Sequence, residues 1–205
     1  MIGTQQEISY IVREPREKNV ELATKLFSME HAHCSRRFHR QIPGYRMSPL
    51  QGLPNLATMF GVGGIWTKDE SSRLQLNSFK VLGGSFALYR YLQKQLGILG
   101  EDTPFAYLAS EEVKEKVGNL TFASATDGNH GRGIAWAAKR LGFKCVIYVH
   151  SETSVRRIDA IKSNGAKVVI VDGNYDDAVR QVALDAEKNG WTIISDTSWD
   201  NYTEI

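Results

Sequence analysis

The sequence predicts an α/β protein built on an open parallel sheet with helices on both faces, and three observations predict it. Four short apolar runs rich in β-branched residues recur in the second half: TFASA (121–125), KCVIYV (144–149), KVVIV (167–171) and WTIIS (191–195). A segment of helical length and pattern separates each run from the next. The runs are near-continuously apolar rather than alternating, as strands covered on both faces are. Strands that alternate with helices in this way form parallel βαβ units with right-handed crossovers.

Each element has its own justification. Residues 17–40 have a helical pattern, stopped by Ile42-Pro43-Gly44. A second helix is expected over 53–60, and Gly61-Val62-Gly63-Gly64 turns it into a strand, GIWTK (64–68). NSFKVLGGSFALYRYLQKQL (77–96) reads as a long helix despite Gly83-Gly84 near its start. A helical glycine costs about 1 kcal/mol against alanine. The pair therefore implies a close approach to the backbone at Lys80's end of the helix. Residues 98–105 form a loop and a joint between structural units. IAWAAKRLG is a helix after the first apolar run, and VRRIDAIKSNGA sets Val155, Ile158 and Ile161 at spacings of three before Asn164-Gly165 ends it. NYDDAVRQVALDAEKNG puts Tyr175, Ala178, Val179, Val182 and Ala186 on one face and also stops at Asn-Gly. The expected division is an N-terminal arm and first part of a larger unit over 1–80, a small parallel α/β unit over 81–200, and a return over 201–205.

Composition excludes several classes. Of 205 residues, 42% are hydrophobic and 23% charged, as in an ordinary soluble globular protein. The net charge of +2, with acids and bases well mixed, argues against nucleic acid or a membrane surface. Arg36, Arg37 and Arg40 read as a solvated helix face. The N-terminus has no apolar core flanked by a cleavage site, and no stretch approaches the ~18 apolar residues of a spanning helix. Cys34 and Cys145 lie too far apart to suggest a disulfide framework, so a reducing cytoplasm is expected. His31 and His33, two apart on a helix, point to different faces, and no metal is expected.

Three places carry candidate chemistry. In Ser78-Phe79-Lys80, a lysine at a helix start is electrostatically misplaced, since the dipole there favours anions. An amine in that position is a candidate nucleophile for an aldehyde, against the plain alternative of a snorkelling surface lysine. T-D-G-N-H-G-R-G (126–133) follows an apolar run and opens a helix, a natural anion or carboxylate cradle. It lacks the spacing of a dinucleotide fingerprint or a nucleotide phosphate loop. Asp127, Asn129 and His130 cluster there, where open α/β sheets place their sites. S-D-T-S-W-D (195–200) lies past another strand end, where Asp196 is either a simple cap or a second carboxylate facing the same cavity.

Together K-D-E-S (68–71), N-S-F-K (77–80), S-A-T-D-G-N-H-G-R-G (124–133) and the βαβ run resemble the fold-type II pyridoxal-phosphate enzymes, with the tryptophan synthase beta-like architecture. Threonine dehydratases, serine dehydratases and cysteine synthases belong to that group. The chain resembles the diaminopropionate ammonia-lyase branch more closely, on K-D-E-S before N-S-F-K-x-L-G-G-S, Asp127 within T-D-G-N-H-G-R-G, N-Y-D-D (174–177) and D-T-S-W-D-N-Y (196–202). Dehydratases usually have a small residue or a hydroxyl where this chain has Asp127.

The resemblance implies that Lys80 carries pyridoxal 5′-phosphate, with Phe79 and Asn129 beside the cofactor. It implies Asp127 as acceptor of the Cα proton of one enantiomer, and Asp196 or the freed Lys80 as acceptor for the other. Thr126 and the amides of Gly128 through His130 would hold the substrate carboxylate. Elimination of the β-amino group of 2,3-diaminopropionate would yield pyruvate and ammonia, in a homodimer. The alternatives are a serine/threonine dehydratase-like lyase and a non-catalytic α/β fragment. Family members continue for roughly as long again, so the large domain is expected to be incomplete here. The phosphate-cupping loop and the pyridine-nitrogen partner would lie outside these residues, which leaves open whether the chain alone binds the cofactor or is active.

Overall fold

In the computed structural model, residue 24 and residues 27–197 other than 101 are described. The helix expected over 17–40 falls partly outside them. Its described part is α1, Met29–Gln41, capped by Ser28, whose side chain accepts from the His31 amide. A two-stranded antiparallel ribbon follows, β1 (Leu50–Gly52) with β2 (Trp66–Lys68), around α2 (Pro54–Phe60). Proline suits the first turn of α2, and Gly61 closes it in the left-handed region.

Next come α3 (Lys80–Gln95), α4 (Phe105–Leu108), α5 (Glu111–Val117) and β3 (Thr121–Ala125). The chain continues through α6 (Asn129–Leu141), β4 (Lys144–His150), α7 (Val155–Lys162), β5 (Lys167–Val171), α8 (Tyr175–Asn189) and β6 (Thr192–Ile193). The four-stranded sheet has the order β5-β4-β3-β6, all parallel.

Alternation along the strands sends side chains to two cores. Phe122, Cys145, Ile147 and Val149 pack with Ile134 and Leu141 of α6 and with Leu88 and Leu92 of α3. Ala123, Ala125, Val146 and Tyr148 face Ala178 and Val182 of α8. Helices therefore cover both faces, as expected. Burying each of Leu88, Leu92 and Leu141 contributes about 1.5–3 kcal/mol. At β5 the cover is thinner than its apolar run implies, because it is an edge strand: Ile170 is 56% exposed.

The glycines near Lys80 have a packing reason. A Cβ on Gly84 would come within 2.8 Å of Ile134 Cδ1, and one on Gly133 within 3.0 Å of Val81 Cα. What approaches this end of α3 is thus another helix, α6. At Gly83 a Cβ would meet nothing within 4 Å.

Candidate active site

Parallel pairing brings the carboxyl ends of β3, β4 and β6 to one edge of the sheet, and the predicted residues gather there. Lys80, Asp127 and Asp196 line one cavity of about 360 Å³, with Thr126, Asn129 and His130 in its wall. Gly128 lines it too. Phe79 does not; it lines an adjoining cavity of about 260 Å³ that shares Lys80, His130 and Asp196 with the first.

Lys80 begins α3, whose first turn has no acidic residue and whose N-cap makes no side-chain hydrogen bond. The ammonium is compensated from elsewhere: Nζ donates to Asp196 Oδ2 at 2.5 Å. Burial raises the Asp196 carboxyl, but the Lys80 hydrogen bond and charge, with His130 adding to them when it is protonated, outweigh it, leaving it below its ordinary value. The residue is held in place by the end of β6. Ile194 O accepts from Ser124 Oγ at 2.7 Å and from His130 Nε2 at 3.0 Å, two residues before Asp196.

His130 is 7% exposed, and burial lowers its pKa despite the carbonyl bond and Asp196. As a neutral ring donating from Nε2 it carries its lone pair on Nδ1, which lies 3.9 Å from Asp196 Oδ2.

The turn between β3 and α6 differs from the expected cradle. Thr126 Oγ1 accepts from both Gly128 N (2.9 Å) and Gly131 N (3.0 Å). Thr126 and the Gly128 amide thus close the turn on itself. The helix starts at Asn129, earlier than expected, so the Asn129 and His130 amides are first-turn N–H groups without intrahelical acceptors. Of the three turn glycines, Gly128 meets a conformational demand, at φ +147. Gly131 is needed for space: its Cβ would sit 2.4 Å from Thr126 Cγ2 and 2.7 Å from Ile147 Cγ2.

The K-D-E-S segment does not line the cavity. Arg73, 5% exposed, bonds Glu70 through Nε at 2.6 Å, Ser48 Oγ at 2.8 Å and Arg46 O at 2.5 Å. Ser48 Oγ also donates to Glu70, and Lys68 Nζ donates to Ser48 O at 2.5 Å. Arg73's hydrogen bonds bring Glu70 down to about 2 against the opposing effect of burial. This network anchors a tight passage in which Leu74, Gln75 and Asn77 all have positive φ, at 45°, 62° and 55°. Such backbone is costly for residues other than glycine. Arg132 of α6 holds it, donating to Leu76 O at 3.0 Å and Gln75 O at 3.4 Å.

Sequence reasoning missed Arg157 and Tyr175, which line the cavity from α7 and α8, and His150, whose Nε2 lies 3.4 Å from Asp127 Oδ1. All three follow from strand order, which no local pattern reveals. Among the described residues, no group of three or more His, Cys, Asp or Glu side chains is placed to hold a metal ion. His39 is buried with Nε2 2.9 Å from Leu82 O, while His31 sits beside Ser28.

The family model described as "Pyridoxal-phosphate dependent enzyme" matches residues 42–205. The diaminopropionate ammonia-lyase of Escherichia coli K12 is 45% identical over 181 residues, 88% of this chain and 44% of that protein. The Salmonella typhimurium diaminopropionate ammonia-lyase is 46% identical over 168 residues, 82% of this chain and 42% of its own length. The crystal structure of the E. coli enzyme in complex with D-serine superposes with a TM-score of 0.80 at 44% identity, covering 87% of this chain and 45% of that one. The chain thus spans less than half the length of these relatives.

Proposed function

The chain belongs to the pyridoxal-phosphate dependent enzymes, and from that premise we propose that the complete protein eliminates ammonia from 2,3-diaminopropionate, giving pyruvate. The observation that carries this reading is the convergence of one primary amine and two carboxylates on a single cavity, Lys80 with Asp127 and Asp196.

The donor set fits the cofactor. The cavity offers a primary amine for an aldehyde, the Asn129 carboxamide, and first-turn amides of α6, within a volume usual for small-molecule sites. Lys80 would hold the cofactor, with Asn129 and Phe79 beside it. When bound, pyridoxal phosphate supplies an electron sink that makes the substrate's Cα proton acidic. The substrate's α-amino group would take the place of Lys80 on the cofactor, leaving the freed amine beside the Asp196 carboxylate. The amides of Asn129 and His130 orient the substrate carboxylate at the helix N-terminus. Asp127 accepts the Cα proton of one enantiomer; Asp196, or the freed Lys80, accepts it from the other. Leaving as ammonia, a β-ammonium needs no acid to protonate it, whereas hydroxide does. Hydrolysis of the remaining enamine releases pyruvate and the second ammonia.

The same reading divides the chain near residue 80, with an N-terminal segment ahead of an α/β unit over 81–200. It places the enzyme in the cytoplasm as a homodimer. Burial pushes the Cys145 thiol up to about 12, in keeping with a reduced cysteine, and among the described residues no helix is long and apolar enough to cross a membrane.

The test has two arms. Pyridoxal phosphate is added to the protein, fixed with borohydride, and the modified lysine mapped by mass; labelling at Lys80 is expected. Pyruvate release from D- and L-diaminopropionate is then compared with that from serine in the complete enzyme. Serine turnover well above diaminopropionate turnover would make it a dehydratase instead.

A further inference from the structure

The pair formed by Asp127 and His150 sets an imidazole beside the cavity's exposed carboxylate. Strands β3 and β4 are adjacent and parallel, and Thr126 N donates to Tyr148 O at 3.0 Å just where β3 ends. Asp127 and His150 therefore leave the sheet side by side, with His150 Nε2 3.4 Å from Asp127 Oδ1. The two differ in freedom. His150 ends an interior strand, lies opposite Val171 of β5, and has a side chain 18% exposed. Asp127 rides on the turn ahead of Gly128, and its side chain is 67% exposed. Among the described residues no other side chain pairs with Asp127.

An exposed aspartate samples rotamers that point away from its cavity, and a base out of reach of the proton does no work. We propose that His150 is a positioning residue for Asp127. With Nε2 at 3.4 Å from Oδ1, it favours the rotamer that keeps the carboxylate at the cavity and leaves Oδ2 to receive the Cα proton. This rests on the proposed elimination reaction and adds a determinant of stereochemical preference to it. Losing His150 handicaps the enantiomer served by Asp127 and not the one served from Lys80 and Asp196.

The test compares native enzyme, His150→Phe, His150→Gln and Asp127→Asn, all as complete holoenzyme, with D- and L-diaminopropionate. His150→Phe is expected to shift the ratio of the two kcat values by about tenfold or more, with KM little changed, as for a misplaced catalytic group. His150→Gln keeps a donor of similar reach and should recover most of the native ratio. A second readout needs no cofactor: the imidazole ¹⁵N resonances of His150 should move on Asp127→Asn. An unchanged ratio in His150→Phe, or unmoved resonances, overturns the positioning role alone. An unchanged ratio in Asp127→Asn removes Asp127 as a base and the positioning role with it, while the elimination reading itself is decided by pyruvate release from diaminopropionate against serine.

Discussion

The Lys80 ammonium and the Asp196 carboxylate, 116 residues apart in the chain, meet at 2.5 Å across the mouth of the cavity. The helix dipole at the start of α3 disfavours the cation, and Asp196 supplies the opposite charge that the first turn lacks. The contact also holds the amine at the cavity, where its neutral form is the one that attacks an aldehyde.

Asp196→Asn should therefore lower elimination by about 10²-fold or more, the usual cost of removing a positioned acid or base. Stability should change little, since both side chains are partly open to solvent, at 37% and 26% exposure. Steady-state kinetics beside urea unfolding checks both halves. A large loss of stability with intact turnover would make the pair structural. Lys80→Ala, by contrast, should abolish borohydride-fixed labelling at this position.

Glu70 makes a pH prediction. Arg73 holds it near 2 when folded, against 4.5 ordinarily. A carboxylate depressed on folding stabilises fully above its unfolded pKa and loses that contribution as pH falls through the folded value. Thermal midpoints should accordingly drop between pH 4.5 and about 2. Glu70→Gln should flatten that limb while lowering the midpoint at neutral pH, because Arg73 is then buried without its counter-ion. Parallel acid limbs in the two proteins would count against the pairing.

The two glycines between α3 and α6 should not be equivalent. Gly133→Ala drives a Cβ against Val81 backbone at 3.0–3.1 Å, which cannot yield without moving a helix. Overpacking of this kind costs about 1–3 kcal/mol. Gly84→Ala meets the tip of Ile134, which can rotate, and regains helix propensity of about 1 kcal/mol. Denaturant unfolding of both variants gives the order, and a milder loss at Gly133 than at Gly84 would contradict the packing account.

Arg132→Met removes the guanidinium from the carbonyls of Gln75 and Leu76. Hydrogen bonds to a charged donor contribute about 1.5–3 kcal/mol, so unfolding should come at lower urea. Because the released segment runs directly into Ser78-Phe79-Lys80, labelling of Lys80 by pyridoxal phosphate and borohydride should also slow. Normal labelling in a destabilised variant would confine Arg132 to the fold.

Much of this architecture was legible in local pattern. TFASA and KVVIV are strands over their predicted residues, and the Asn-Gly stops end α7 and α8 nearby. The departures have physical causes. Strand β6 shrinks to Thr192–Ile193 because, among the described residues, it pairs only with β3. Helix α6 starts at Asn129 because close packing on Val81 and Ile147 makes helical use of Gly131 and Gly133, which intrinsic propensity opposes.

The sequence by itself determined the class of fold, the lysine and the glycine turn, since periodicity, chain punctuation and residue chemistry act over a few neighbouring positions. Tertiary structure alone decided which groups meet: Asp196 on Lys80, His150 on Asp127, Arg132 on the passage before the lysine. Those contacts depend on the order β5-β4-β3-β6, which brings three strand ends to one edge. That order is set by the burial of whole strands and helices against one another, an energy no short stretch of sequence contains.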